Sequence, residues 1–258
     1  MEKITSLQNQ HVKRWRKLLT RKGRTTFESF LVEGFHLVEE ALKAKKIEVL
    51  AVIGTENVQS ILENVPHHIP TYQITKEIMT AISDTETSQE IFAEVKMPSQ
   101  PDYLNLEAPY LLLDAVQDPG NVGTLIRTAA ACGFEGVVFG KGTVDPYNPK
   151  TLRAAQGSHF NVSLLQVDLK KWITDFQRIH VPVYGTALHK HAVSYRKVTP
   201  QQVFGLVVGN EGAGVSEKIL KQVDQSLYIP IRGHVESLNV SMAAGILMYH
   251  LYQPAKGD

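Results

Sequence analysis

Between Tyr110 and Tyr252 the chain alternates short apolar runs with longer amphipathic ones. YLLLDA, GVVFG, VSLLQV, VPVYGTAL, FGLVVG and SLYIPI read as strands, and VGTLIRTAAACGF, NPKTLRAAQGS, LKKWITDFQRI and NVSMAAGILMYHLY read as helices. Strands that are apolar along their whole length, rather than at every second residue, have both faces covered. That pattern predicts an α/β fold with a parallel sheet between helical layers. Ligands of such sheets sit at the carboxyl ends of the strands.

Three polar, glycine-bearing segments fall at those ends: DPGNVGTLIRTA from Asp118, VVGNEGAGVS from Val207 and IPIRGHVESLNVSMAAGI from Ile229. They lie far apart in sequence, so a common role requires the fold to gather them around one ligand. In the first, Pro119 and Gly120 read as a turn, Asn121 offers an amide, and Arg127 follows in the helix as a candidate phosphate ligand. In the second, Gly209, Gly212 and Gly214 let backbone approach a ligand beside the Glu211 carboxylate. In the third, Ser237, Asn239 and Ser241 either cap the last helix or bond a ligand. Neither GxGxxG after the first strand nor GxxxxGK[ST] is present, which argues against an ordinary dinucleotide-binding oxidoreductase or a P-loop protein.

The N-terminal third differs. HVKRWRKLLTRKGR carries seven basic residues, Lys13, Arg14, Arg16, Lys17, Arg21, Lys22 and Arg24, and no acidic one. Val12, Trp15, Leu18 and Leu19 fall at helical spacing, with Arg14, Lys17, Arg21 and Arg24 on another face. The segment is read either as a helix that docks its apolar stripe and offers phosphate contacts to nucleic acid, or as a solvated basic helix. FLVEG, VLAVIG, YQIT and IFAEVKM follow as strands, with FHLVEEALKA and NVQSILENV as helices, a small α/β domain. PSQPDYLNLEAP reads as a linker, which divides the chain into domains at 1–98 and 107–258.

The formal charge of +1 over 258 residues conceals an asymmetry, since residues 1–46 hold eleven Lys or Arg against five Asp or Glu. The single cysteine, Cys132, has no intrachain partner and fits a structural thiol in a reducing cytoplasm. No apolar run approaches the ~20 residues of a membrane span. The ten histidines form no CxxC or HExxH pattern, so no metal is expected.

DPGNVGTLIRTAAACGF, GLVVGNEGAGVS and IPIRGHVESLNVSMAAGILMYHL resemble, in order and spacing, the three motifs of the SpoU (TrmH) family of RNA ribose 2′-O-methyltransferases, within the SPOUT superfamily. HVKRWRKLLTRKGR with FLVEGFHLVEEAL resembles the substrate-binding domain, ribosomal protein L30e-like, that precedes the catalytic one in many members. The resemblance implies S-adenosylmethionine as cofactor, a deep trefoil knot in the C-terminal domain, a homodimer, and RNA as substrate. Ribosomal RNA of the large subunit is favoured over tRNA by analogy with that N-terminal domain. By position it places the cofactor against Thr186, Leu188, Val208, Gly209, Ile229, Leu238 and Asn239. It matches Arg127, Asn121, Glu211, Ser237 and Asn239 to the family's polar catalytic positions. Glu211 and Asn121 are expected to orient Arg127.

Arg127 is the family's candidate base, yet a guanidinium is nearly always protonated. Its milder role is to fix a substrate phosphate and stabilise developing oxyanion charge while a phosphate oxygen or water takes the proton. An RNA-binding factor that has lost catalysis is the alternative, against which stands the presence of every polar position. One departure is visible: relatives often carry a threonine-rich turn ending Pro-Gln-Gly, whereas this chain reads DTETSQEI, with Ser88 and Glu90 in place of Pro and Gly.

Overall fold

The computed structural model describes residues 1–99, 105 and 107–254. Most of the expected linker at 98–106 lies outside those residues. The described chain divides into two compact units: Met1–Ser99 with Tyr147–Phe160, and the remainder.

The first unit is built on a five-stranded mixed sheet. Its strands are β1 (Glu2–Ile4), β2 (Ser29–Glu33), β3 (Val49–Gly54), β4 (Thr71–Ile74) and β5 (Ile91–Lys96), in the order β1-β4-β3-β5-β2. β1, β4 and β3 are parallel, and β5 runs antiparallel to both β3 and β2. Helices α1 (Gln10–Leu18), α2 (Arg21–Phe27), α3 (Phe35–Lys43), α4 (Gln59–Glu63) and α5 (Lys76–Ile82) complete the N-terminal part. β1 and α5 carry too few residues of any one period to be read from sequence alone.

The basic segment is two helices rather than one. Thr20 is extended and its hydroxyl oxygen accepts from the Gly23 N–H, so it caps a new helix and breaks the expected basic face. Val12, Trp15 and Leu18 are buried as predicted, packed with Ile53, Ile78 and Phe92. Two of the seven cations are not free to face a polyanion. Arg24 is 2% exposed, and its Nη1 donates to the Leu18 carbonyl at 2.8 Å, closing the end of α1. Arg14 donates from Nε to Glu94 Oε1 at 2.8 Å. Lys13, Arg16, Lys17, Arg21 and Lys22 are exposed.

Glu94 is a buried carboxylate, and its partners explain why it is tolerated there. It accepts from Arg14, from the Ser29 hydroxyl at 2.8 Å and from Trp15 Nε1 at 3.0 Å. A charge inside a sheet layer requires such saturation, and here it fastens α1 to the interior strand β5. The altered turn before β5 is held in a similar way. Glu90 adopts a left-handed φ of +63°, and its carboxylate accepts from the Thr55 hydroxyl and from Asn57 Nδ2. The glutamate thus takes the left-handed backbone that glycine adopts most readily, and gains side-chain bonds that glycine lacks.

The second unit has a seven-stranded, wholly parallel sheet. Its strands are β6 (Tyr110–Asp114), β7 (Gly136–Phe139), β8 (Ser163–Gln166), β9 (Val183–Thr186), β10 (Val193–Ser194), β11 (Gly205–Gly209) and β12 (Gln225–Tyr228), in the order β10-β12-β9-β11-β6-β7-β8. The expected last strand stops at Tyr228, so Ile229–Ile231 is loop. Helices α6 (Pro119–Ala131), α8 (Leu169–Arg178), α9 (Glu217–Leu220) and α10 (Val240–Leu251) belong to this unit, whereas α7 (Pro149–Ala155) belongs to the first. α6 begins three residues earlier than its apolar period suggests. Asp118 caps it through the Asn121 N–H, and Pro119, expected in a turn, occupies its first position, where a missing N–H costs nothing. One core cluster gathers Tyr110, Leu112, Val138, Leu165, Trp172, Phe176 and Val207, joining four adjacent strands to α8.

Three substitutions test this assignment of roles. Trp15→Ala should destabilise the first unit by about 3–5 kcal/mol, read as a lowered denaturant midpoint. Arg24→Ala should also lower the midpoint but leave the salt dependence of the expected nucleic-acid binding unchanged, whereas removing a side chain that neutralises a phosphate would flatten that slope by roughly one unit. Lys17→Ala should show the opposite pair of results.

Candidate active site

The three polar segments converge in the second unit. β6 and β11 are neighbours, with Asp114 opposite Gly209, so the loops leaving them start side by side. The β11 loop doubles back at once: Asn210 and Gly214 exchange backbone hydrogen bonds at 3.0 and 2.8 Å. A Cβ on Gly209 would stand 2.1 Å from the Gly214 carbonyl carbon, so this fold-back requires glycine there.

Glu211 at the tip of that loop ties it to the start of α6. Its Oε2 accepts from the Gln117 N–H at 3.1 Å, and its Oε1 from the Asp118 N–H and from Asn121 Nδ2, both at 3.0 Å. Asn121 passes the connection on, since its Oδ1 accepts from Asn239 Nδ2 at 2.9 Å. Asn239 is also the N-cap of α10, its Oδ1 accepting from the Ser241 and Met242 N–H groups. The capping reading of this residue is therefore realised, and its amide in addition bridges to Asn121. Ser241 adds a bond from its hydroxyl to the Asn121 carbonyl at 3.1 Å.

Burial pushes the Glu211 carboxyl upward, but the Asn121 amide and the backbone N–H groups of Asp118 and Gln117 outweigh it and hold the group below the usual range.

Two members of this network were not picked out by sequence. Asn210 accepts from the Gly212 and Ala213 N–H groups at 3.0 Å, and its Nδ2 donates to the carbonyl of Ala115, which has a left-handed φ of +57°. Asp114 accepts from the Ser216 N–H at 2.8 Å. The available signal was an Asp or Asn closing an apolar strand.

Beside the network lies a cleft of about 510 Å³, within the size range of small-molecule sites. All seven residues expected around a cofactor line it: Thr186, Leu188, Val208, Gly209, Ile229, Leu238 and Asn239. Ser237 and Glu211 line it as well. Its walls are the apolar side chains of Leu188, Ile229, Leu238 and Leu247, with backbone from the ends of β9, β11 and β12. This mixture suits an adenosine and an aliphatic amino-acid tail. Leu188, one of the lining residues, is 79% exposed.

Arg127 stands apart from the network. It is exposed on α6, and among the described residues it makes no hydrogen bond or ion pair; neither Glu211 nor Asn121 holds it. Six residues along a helix place it about 9 Å beyond Asn121 and about 120° around the axis. The expected orienting contact is therefore absent from this structure, for a reason of helix geometry. Among the described residues no group of His, Cys, Asp and Glu is arranged to hold a metal.

The chain matches the SpoU rRNA methylase family over residues 108–249 and an MRM3-like substrate-binding domain over residues 9–93. It belongs to the SpoU methylase family. It is 46% identical, over 97% of its length and 99% of the other's, to the 23S rRNA (guanosine(2553)-2′-O)-methyltransferase RlmP of Bacillus subtilis. Among solved structures it resembles an AdoMet-bound rRNA methyltransferase from Sinorhizobium meliloti, with a TM-score of 0.85, 30% identity and 97% of each chain covered. It also resembles the SpoU methyltransferase AviRb from Streptomyces viridochromogenes in complex with AdoMet, at 0.81, 25% identity and 95% and 97% coverage. This SpoU protein is an RNA methyltransferase whose cofactor is S-adenosylmethionine.

The Glu211 bonds should set a pH dependence on cofactor binding. A carboxyl held below its ordinary value keeps the loops tied above that value, and the tie is lost only as pH falls through the lowered one. Calorimetric titration should show affinity persisting below the ordinary glutamate range near pH ~4.3. Glu211→Gln should bind the cofactor more weakly and without that acid transition.

Proposed function

We propose that this enzyme transfers a methyl group to a ribose 2′-hydroxyl of 23S ribosomal RNA. The observation that carries the reading is the 46% identity to RlmP across nearly the whole of both chains, together with the substrate-binding domain match over residues 9–93. S-adenosylmethionine supplies an electrophilic methyl group when bound in the cleft. Backbone of the β9, β11 and β12 loops, with Thr186, Leu188, Val208, Gly209, Ile229 and Leu238, holds that ligand. Glu211, Asn121 and Asn239 keep the three loops in register, and Ser237 lines the cleft beside them.

Arg127 offers an exposed guanidinium that makes no bond among the described residues, which suits a phosphate of the incoming RNA and the charge that builds on the attacking oxygen. The hydroxyl proton passes to a phosphate oxygen or to water, because a protonated guanidinium cannot accept it. Lys13, Arg16, Lys17, Arg21 and Lys22 supply sequence-independent phosphate contacts.

The protein works as a homodimer in this reading, in the cytoplasm where its RNA is found. α10 buries Ala244, Leu247, Met248 and Leu251 within the unit but leaves Met242, Ile246 and Tyr249 exposed, at intervals that form one stripe. Such a stripe suits a second copy of the same helix face. The trefoil knot of the family belongs to the same proposal, supported by the residues of 229–239 lining the same cleft as Thr186 and Gly209. Among the described residues no helix is long and apolar enough to cross a membrane.

Labelled methyl transfer to RNA from a strain lacking the gene, followed by nuclease mapping, tests the reaction. A single ribose-methylated nucleotide in 23S RNA is the expected product, and label in tRNA alone would overturn the substrate assignment. Arg127→Lys keeps the charge but loses the planar fork, so turnover should fall by at least about 100-fold while cofactor affinity stays within about twofold. Ile246→Glu should convert a dimer to a monomer by light scattering; a wild-type monomer would remove the dimer from the proposal.

A further inference from the structure

The first unit contains a second polar pocket, of about 190 Å³, that the chemistry above does not use. It lies between the β2–α3 turn, the threonine-rich turn and α7, all within the same compact unit. Its walls are unusually complete in hydrogen-bonding groups. Glu33 Oε1 accepts from Ser83 and Thr85 hydroxyls, both at 2.8 Å, which fixes the carboxylate while its Oε2 makes no hydrogen bond among the described residues. Arg153 commits one N–H group to Asp84 at 3.0 Å and keeps its other donors. Gln89 uses its Oε1 to accept from the Phe35 N–H at 2.9 Å, leaving the Nε2 donors without a bond among the described residues.

The backbone beneath is specialised for the same opening. Gly34 has a φ of +103°, and a Cβ there would meet Gln89 Oε1 at 2.7 Å, so any other residue would displace the glutamine. Phe35, the next residue, is 44% exposed at the start of α3 and lies outside the pocket's lining. A fixed carboxylate acceptor with amide and guanidinium donors beside it is the set of groups that reads the Watson–Crick edge of an unstacked RNA base.

The placement of charges selects among the bases. Guanine alone presents two adjacent donors, N1–H and the N2 amine, which can converge on the single open oxygen, Glu33 Oε2, beside an acceptor, O6, for Arg153 or Gln89. Adenine offers the carboxylate one amine next to a repelling ring nitrogen, and uracil one imide N–H between two carbonyls. Resting on the reading of this chain as an RNA methyltransferase, we propose that the pocket formed by Glu33, Gln89 and Arg153 binds a single unstacked guanine of the substrate RNA. It is a specificity site in the substrate-binding unit, separate from the cofactor cleft.

The test uses the full-length enzyme and a labelled uridine decamer with one central guanosine, measured by fluorescence anisotropy beside decamers carrying inosine or adenosine at that position. The guanosine decamer should bind about tenfold more tightly than either, since inosine lacks the N2 amine and adenosine also lacks N1–H. Glu33→Gln should abolish the preference. Gln89→Glu retains an oxygen for the Phe35 N–H, so the turn stays folded, but replaces the free donors with a carboxylate and should also abolish it. Equal affinity for the three decamers, or a preference that survives both substitutions, would overturn the proposal and leave the pocket a solvated crevice. Methyl transfer to 23S RNA by the same preparations separates the two readings: an active enzyme blind to guanosine defeats only the pocket, and a guanosine-selective but inactive one supports the pocket and counts against the reaction.

Discussion

The carboxylate of Glu211 is the interaction on which the catalytic unit depends. Three loops meet at the carboxyl ends of the interior strands β6 and β11, beside the last helix, and each carries backbone N–H groups that need partners. Glu211 accepts from two of those N–H groups and from Asn121, and Asn121 in turn receives Asn239. The arrangement binds the β6, β11 and α10 loops into one frame while costing little, since the carboxylate is only partly desolvated and accepts from three donors. A cleft bordered by these loops then has fixed walls before any ligand arrives, which lowers the ordering cost of binding.

Glu94 plays the corresponding part in the first unit by a different route. It is buried, and only the combined donation of Arg14, Trp15 and Ser29 makes its charge tolerable. The outcome is a basic helix held rigidly on the sheet with its remaining cations turned outward. Both units thus use a glutamate as a fixed acceptor, one holding the basic helix α1 on its sheet and the other tying the loops beside the cleft. Glu33 adds a third fixed carboxylate, with one oxygen committed to Ser83 and Thr85 and the other open among the described residues.

How legible these features were depended on the range of the interactions. The longer strands between β6 and β12 were readable because a two-sided burial requirement writes an apolar run into contiguous residues, and the helices because their burial repeats every turn. β1, with three residues, and β10, with two, leave no such record. The break between α1 and α2 was present as Thr20, but a helix cap and an interior threonine look alike until the backbone turns. The seven positions expected around the cofactor were placed by resemblance to a family, and all of them line the cleft; Asn210 and Asp114 were passed over because each closes an apolar strand, where a polar residue reads as the strand's end.

By itself the sequence determined the parallel sheet of the second unit, the basic character of the N-terminal part and the three loops that form the site, but not that residues 147–160 join the first unit. Each is encoded by residues close together in the chain, through periodicity, charge or glycine placement. Only the tertiary structure decided what individual polar side chains do. Arg24 and Lys17 belong to the same basic run, yet one closes a helix end inside the unit and the other reaches solvent. Arg127 and Glu211 belong to motifs that meet, yet helix geometry keeps them from bonding each other. Glu33 and Arg153, about 120 residues apart in the chain, line one pocket. Pairings of that kind are fixed by where strands and helices pack, and packing sums contacts from the whole chain, so no local stretch of sequence contains them.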